Sequence, residues 1–254
     1  MFIAGILPGI LVTLTLLVFA YFFARANGLG GGEKSSLGDV FRAGKKAILA
    51  ILMPVIILGG IYGGVFTPTE AAVIAVAYSF VIGTLIYREI KFASLVGILK
   101  QSAVTTAVVL SIIGAAGLYG RILQSLRVPD MISDFVISAI DSPLLFILLA
   151  NLLLLLAGMF IEAAAAILIF VPILLPIAVS YGFDPIHFGI IMVVNLAMGM
   201  FTPPVGLNLF VASQITNIGI ARLTWAVMPF VAIVLANLLI ISLLPVLSTW
   251  LPSL

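Results

Sequence analysis

The sequence contains no cysteine and a single histidine, His187. Without cysteine the chain can form no disulfide bond, thiolate metal site or cysteine nucleophile. One histidine also excludes a metal site built from several imidazole groups. The sequence shows neither a P-loop motif nor a serine, histidine and aspartate set suited to nucleophilic catalysis. These absences predict that the protein is not an enzyme.

Charged residues are scarce as well. They make up 8% of the 254 residues, whereas 64% are hydrophobic, and the mean hydropathy is +1.40. A soluble domain carries about 25% charged residues. So few charges cannot cover a water-exposed surface, so we expect an all-α, multi-pass membrane protein in contact with a lipid bilayer. The net charge of +2 does not indicate nucleic acid, because the cations lie beside apolar runs.

Apolar runs of about 20 residues predict the membrane spans. These spans are 3–24, 47–66, 69–87, 101–123 and 223–249. An interfacial helix is expected at 88–100 and a short amphipathic segment at 124–142. Thr67 and Glu70 predict a capped helix start. Met1 lies in an apolar run without a preceding loop, which suggests a piece of a longer protein.

The lysines and arginines predict the orientation. If the first span runs from outside to inside, only Arg121 and Arg127 of the eleven cations lie outside, which leaves nine on the cytoplasmic side. The first and last spans open with similar segments, FIAGILPG at 2–9 and LTWAVMPF at 223–230. They would cross the membrane in opposite directions, as in the inverted repeats of secondary transporters.

Two further apolar stretches are interrupted. The stretch 144–180 contains Gly158, Glu162 and two prolines, which predicts a re-entrant hairpin with its tip near 158–165. The stretch 186–217 contains TPPVG at 202–206, which predicts a broken helix because proline lacks an N–H. A packing kink is the alternative at each break.

A broken membrane helix exposes main-chain carbonyl groups at one half-helix end and N–H groups at the other. The carbonyl groups suit Na⁺ and the N–H groups suit a carboxylate. We therefore select candidate substrate-binding residues at the break and on its flanking helices: Thr202, Pro204, Gly206, Asn208 and Asn195.

Several polar residues have more than one interpretation. Glu162 could bind a cation, carry a proton or cap the helix that starts at Ala163. Asn195 and Asn208 could bind substrate or bridge helices, and Asn151 is expected to bridge helices. His187 is expected to be a surface or capping residue.

Four longer motifs carry a family resemblance. They are GIYGGVFTPTEAA at 60–72, VPILLP at 171–176, DPIHFG at 184–189 and GMFTPPVGLNL at 199–209. With these motifs the chain resembles the large membrane (M) subunit of tripartite ATP-independent periplasmic (TRAP) transporters, over what corresponds to the second half of that subunit.

The resemblance implies an elevator-type fold with inverted repeats. It assigns 1–26 to the last helix of the first repeat, 27–46 to a cytoplasmic linker and 47–142 to scaffold and arm helices. It assigns 143–218 to the transport domain, with one hairpin and one broken helix, and 219–254 to the final span.

The same resemblance implies Na⁺-coupled import of an organic acid, such as sialic acid or a dicarboxylate, across the bacterial inner membrane. The implied partners are a small four-helix membrane (Q) subunit, a periplasmic binding (P) protein and the missing N-terminal half. Na⁺ would contact largely main-chain atoms of Gly158, Glu162, Ala163, Gly199, Thr202 and Pro203.

One departure from the family pattern concerns the hairpin tip. Alanines 163–166 follow Glu162 where relatives often carry proline or serine, which favours main-chain carbonyl groups over side chains as ligands. The alternative functions are a binding-protein-independent divalent-anion/Na⁺ symporter, a membrane-embedded enzyme and a non-transporting scaffold.

Overall fold

The computed structural model describes residues 1–28 and 36–253, and this part of the chain is helical without a strand. The α-helices are α1 (Ile6–Ala26), α2 (Leu37–Tyr62), α3 (Pro68–Val81), α4 (Phe92–Ser125), α5 (Val128–Ala139), α6 (Pro143–Phe160), α7 (Ala163–Ser180), α8 (Pro185–Gly199), α9 (Leu207–Thr216), α10 (Ile220–Leu243) and α11 (Val246–Thr249). A π-helix (Ile82–Ile86) extends α3. Short 3₁₀-helices lie at Ile3–Gly5 and Leu251–Ser253.

The chain divides into two compact units, residues 30–108 and residues 1–29 with 109–254. In the smaller unit α2 packs against α3, and the hydroxyl group of Tyr78 donates a hydrogen bond to Leu49 O (2.6 Å). In the larger unit α8 lies at the centre and packs against α6, α7 and α10. Phe188, Ile191 and Leu196 of α8 are completely buried there.

Within the described residues, seven helical segments are long and apolar enough to cross a bilayer. They are Ile3–Ala26, Leu37–Tyr62, Pro68–Ile86, Ala93–Ser125, Pro143–Phe160, Ala163–Ser180 and Ile220–Leu243. Their outward faces carry large apolar side chains such as Phe22, which is 62% exposed. The prediction of an all-α, multi-pass membrane protein is confirmed.

Helix starts follow local capping signals. The predicted cap at Thr67 is confirmed, because its N–H donates to Glu70 Oε2 (2.8 Å) and its Oγ1 accepts from the Glu70 N–H (3.3 Å). Ser36 and Asp39 form the same capping box at α2. As a result α2 begins at Leu37, inside the predicted linker 27–46, so the predicted start of the second span at residue 47 is wrong. Residues 29–35 lie outside the described part of the chain.

Two other predicted boundaries are wrong. The segments 88–100 and 101–123 belong largely to one helix, α4, because no proline or capping signal follows the single charge of Lys100. The final span ends at Leu243 instead of 249. Pro245 lacks an N–H and disfavours helical geometry at Leu244, so the chain restarts as α11.

Helices α6 and α7 form a hairpin whose two open ends lie together. Near the start of α6, the Phe146 ring stacks on Tyr181 at the end of α7 with a centroid distance of 4.8 Å. The Tyr181 hydroxyl donates to Val136 O (3.2 Å) and Ile140 O (2.6 Å), which attaches α5 to the same end. The chain therefore runs out along α6 and returns along α7.

Helices α1 and α10 are antiparallel. Thr15 Oγ1 accepts a hydrogen bond from Asn237 Nδ2 (2.7 Å), and farther along α1 the Phe19 ring meets Phe230 edge to face at 5.1 Å. Residue numbers rise on one helix as they fall on the other. The opposite directions predicted for the first and last spans are thus observed.

Replacement of Tyr181 by phenylalanine tests the attachment of α5. We expect Tyr181→Phe to lose about 1 kcal/mol of local stability, because Ile140 O loses the Tyr181 donor, whereas Val136 O keeps the hydrogen bond from the Ile140 N–H. Hydrogen–deuterium exchange of the protein in detergent should then become faster in 128–139. Tyr119→Phe, at a side chain that is 50% exposed, is the control. Equal exchange in both variants would contradict the attachment.

Candidate functional site

The broken helix is observed where TPPVG predicts it. α8 ends at Gly199, α9 begins at Leu207, and residues 200–206 between them are not α-helical. Pro203 and Pro204 supply no N–H to the helical ladder. Gly206 has a φ of +57°, and an added Cβ would lie 3.0 Å from Thr202 O, so this position requires glycine.

The hairpin tip is a short turn between α6 and α7. Ile161 is extended, and the Glu162 carboxylate accepts hydrogen bonds from the N–H groups of Ala164 (2.9 Å) and Ala165 (3.2 Å). The capping interpretation of Glu162 is confirmed. Its side chain is exposed and lines an apolar groove of about 290 Å³ with residues of α4 and α7.

The tip and the break meet at two glycines. A Cβ added at Gly199 would lie 2.5 Å from the carbonyl carbon of Gly158 and 2.6 Å from its Cα. Conversely, a Cβ at Gly158 would lie 3.0 Å from Leu196 O. The main chains of α6 and α8 are therefore in direct contact, which brings together two of the residues that the sequence analysis selects for Na⁺.

A hydrogen bond joins the same two segments. The Gly206 N–H donates to Met159 O (3.2 Å), so a donor of the break satisfies a carbonyl group at the end of α6. Across the break, the Asn208 N–H at the start of α9 donates to Met200 O (2.9 Å). Neither hydrogen bond could be predicted from the spacing of residues in the sequence, because each depends on the path of the non-helical residues 200–206.

Each of the two segments contains an oxygen atom suited to a cation. Among the described residues no donor hydrogen-bonds to Gly158 O, although Gly158 is buried. The Thr202 hydroxyl, on a side chain that is 6% exposed, donates to Met198 O (2.7 Å) and keeps its own lone pairs. In the described part of the chain, no group of three histidine or acidic side chains forms an alternative metal site.

The predicted substrate residues separate into two sets. Thr202, Pro204, Gly206 and Asn208 lie in or beside the break, and the side chain of Asn208 is exposed. Asn195 lies one helical turn before Gly199 and is completely buried, with its amide group hydrogen-bonded to Asn151. The expectation that Asn151 bridges helices is confirmed.

The expectation of a surface or capping role for His187 is wrong. Its ring is completely buried, and Nδ1 shares a hydrogen bond with Ser248 Oγ (2.7 Å) from α11. Asp184 supplies the cap of α8 instead, through the N–H groups of Ile186 and His187. The sequence analysis could not place Ser248 there because it treats 223–249 as one continuous span.

The fold and site together define a class: a multi-pass helical membrane protein in which the tip of a helical hairpin lies against an interrupted helix. The family model described as "Tripartite ATP-independent periplasmic transporter, DctM component" matches residues 1–247. The chain belongs to this family. Its members are transporter components, which confirms both the resemblance and the prediction that the protein is not an enzyme.

The chain is similar to curated large permease proteins. It is 42% identical to the C4-dicarboxylate TRAP transporter large permease protein DctM of Pseudomonas aeruginosa, covering 100% of this chain and 59% of that protein. The sialic acid TRAP transporter large permease protein SiaM of Vibrio cholerae is 38% identical, covering 100% of this chain and 60% of that protein.

A third relative carries a different substrate name. The isethionate TRAP transporter permease protein DctMQ of Oleidesulfovibrio alaskensis is 43% identical, covering 96% of this chain and 39% of that protein. The chain thus spans three fifths or less of the length of these three relatives.

The glycine contact can be tested with Gly199→Ala. Because the new Cβ would overlap the Gly158 main chain, we expect a loss of at least ~2 kcal/mol in stability. Thermal unfolding in detergent should show a clear drop in melting temperature. Gly114→Ala in α4, where an added Cβ meets no atom within 4 Å, is the control and should be neutral or slightly stabilising. Equal stability of the two variants would refute the contact.

Proposed function

We propose that this chain forms part of the large membrane subunit of a TRAP transporter that imports an organic anion together with Na⁺. The observation that carries this proposal is the contact between the hairpin tip and the helix break, at Gly158 and Gly199 and at Met159 and Gly206. If both interruptions lie within the bilayer, as we propose, their main-chain polar groups are held away from water, where they are costly unless they bind something.

The cation step uses carbonyl and hydroxyl oxygen atoms. Gly158 O, which has no donor among the described residues, and the buried Thr202 Oγ1 are the first ligands that we propose for Na⁺. Main-chain atoms of Glu162, Ala163, Gly199 and Pro203 complete the proposed set. Na⁺ bound there would hold the tip against the break and prepare the adjacent substrate site.

The substrate step uses the N-terminal end of α9. The cap residue of this helix, Gly206, provides no side-chain acceptor, and Asn208 in its first turn is exposed. Such an end attracts an anion through its helix dipole and its available N–H groups. Asn208 and Leu209 already donate to Met200 O and Gly206 O, so within the described residues the Leu207 N–H is the one that we propose for the anion. The names of the three relatives specify C4-dicarboxylates, sialic acid and isethionate, all of which are organic anions.

Helix lengths support a re-entrant hairpin. α6 and α8 begin side by side, as Phe146 and Phe188 show, and they end at the glycine contact. α8, with 15 residues, rises about 22 Å, and α9, with 10 residues, adds about 15 Å, which together exceed the bilayer core of about 30 Å. If α9 continues in the direction of α8, as we propose, the tip stops about one length of α9 short of the far end of the broken helix.

The proposed transport cycle is of the elevator type. The hairpin and the broken helix would move together across the membrane with Na⁺ and the anion between them. The proposed setting is the bacterial inner membrane. A Q subunit, a periplasmic binding protein and the remainder of the large subunit would complete the transporter.

Uptake into proteoliposomes tests this function. The complete large subunit with this chain and its Q subunit is reconstituted, and radiolabelled organic anions are supplied with their cognate binding protein. We expect uptake that requires both an inward Na⁺ gradient and the binding protein. Na⁺-driven uptake without the binding protein would favour the divalent-anion symporter. Binding-protein-dependent uptake without Na⁺ would refute Na⁺ coupling.

The role of Thr202 is tested in the same assay. Thr202→Val removes the hydroxyl but keeps the branched shape, so we expect the half-saturating Na⁺ concentration to rise about tenfold, equivalent to ~1.4 kcal/mol. Thr202→Ser should restore most of the affinity. Thr216→Val, which removes a hydroxyl bonded to Ala212 O at the other end of α9, is the control. An unchanged Na⁺ dependence in Thr202→Val would exclude the side-chain role.

A further inference from the structure

Three contacts align α6 with α8. Near one end the Phe146 ring stacks with Phe188 at 6.3 Å, and at the other end Gly158 touches Gly199. Between them, Asn195 Nδ2 donates to both the main-chain and the side-chain oxygen of Asn151, each at 2.9 Å. The asparagine contact lies about 6 Å from Gly199 along α8 and about 10 Å from Gly158 along α6.

The asparagines extend this connection to a third helix. Asn151 Nδ2 donates to Ser242 Oγ of α10 (2.9 Å), so one polar chain links α8, α6 and α10. Asn195, Asn151 and Ser242 are 0%, 6% and 3% exposed, and they lie within the apolar core of the larger unit. These residues therefore have no access to a substrate in the break.

Stability alone does not explain the polar pair. Asn195 Oδ1 is buried without a partner among the described residues, and a buried acceptor left unpaired is destabilising. A leucine at 195 would avoid that penalty. A hydrogen bond requires its donor and acceptor to be aligned, whereas an apolar contact does not. A hydrogen-bonded pair can therefore fix how far one helix is shifted along the other, which is their register.

The register matters because the asparagines and glycines share helix faces. Asn195 and Gly199 are four residues apart, and Asn151 and Gly158 are seven apart, so each pair lies on one side of its helix. A slip of one residue along α8 rotates its side chains by about 100°. Such a slip would separate Asn195 from Asn151 and Gly199 from Gly158 together.

We propose that Asn195 and Asn151 are positioning residues, which hold Gly199 against Gly158 and thereby set the geometry of the Na⁺ site. This inference rests on the proposed function, and it gives Asn195 a role that differs from the substrate contact expected from the sequence. Ser242 supports the pair from α10. None of the three residues contacts Na⁺ or the anion.

The test compares Asn195→Leu with Asn237→Leu in Na⁺-dependent uptake by the complete transporter. Asn237 is a matched control, because it is 2% exposed and also joins two helices, through Thr15 of α1. For Asn195→Leu we expect the half-saturating Na⁺ concentration to rise about tenfold, as when an outer partner of a metal ligand is lost. The anion KM at saturating Na⁺ should change by less than about twofold. Asn237→Leu should leave the Na⁺ dependence within about twofold.

Two further variants keep the test decisive. If both asparagines act through one contact, Asn151→Leu combined with Asn195→Leu should shift the Na⁺ dependence no more than the larger single effect. Ser242→Ala removes only one hydroxyl group, so it can replace Asn195→Leu in the uptake assay if that variant does not fold. We expect Ser242→Ala to raise the half-saturating Na⁺ concentration about threefold, a smaller effect of the same kind.

Different results would contradict the positioning role of Asn195 and the proposed function. Wild-type uptake that depends on Na⁺, together with an unchanged Na⁺ dependence in Asn195→Leu and Ser242→Ala, would overturn this inference alone. A changed anion KM at saturating Na⁺ in Asn195→Leu, without a shift in the Na⁺ dependence, would return Asn195 to direct substrate binding. Wild-type uptake without any Na⁺ dependence would overturn the proposed function and this inference together.

Discussion

The close main-chain contact between Gly158 and Gly199 is the constraint on which the rest of the site depends. Only residues without a Cβ allow α6 and α8 to approach so closely. This approach brings Met159 O within hydrogen-bonding distance of the Gly206 N–H and places Gly158 beside the break. A larger residue at either glycine would move the hairpin tip away from the unwound segment.

The distribution of polarity in the larger unit follows the same helix, α8. Its outer helices present apolar side chains to lipid, whereas polar groups are concentrated around α8: Asn195, His187, Thr202 and the main chain of the break. Buried polar groups in a membrane protein need partners, and most of these find one in Asn151, Ser248 or a carbonyl group of α8 itself. Among the described residues, Asn195 Oδ1 and His187 Nε2 are buried without a partner. The polar interior is thus built along one interrupted helix.

Much of this arrangement could be predicted from local sequence. Pro203, Pro204 and Gly206 predict the break because proline lacks an N–H and glycine tolerates a positive φ. Glu162 and Thr67 precede helices as capping residues do, and both have that role in the structure. Such signals involve residues three or four positions apart, so they can be identified in a single sequence.

The features that could not be predicted depend on contacts between distant segments. The burial of His187 requires α11, which exists because Pro245 interrupts the last span. Asn195 and Asn151 are 44 positions apart in the chain, and they pair only if α6 and α8 pack in one register. The hydrophobic pattern does not specify that register, because almost every residue of these helices is apolar.

The account's central claim is that the hairpin tip and the helix break form one Na⁺ site. Cryo-electron microscopy of the complete transporter, in Na⁺ and in choline, tests this claim most directly. We predict density for an ion in the Na⁺ map alone, bound by Gly158 O and Thr202 Oγ1 and bordered by the Gly158–Gly199 contact. Ion density elsewhere in the Na⁺ map, or the same density in both maps, would contradict the claim.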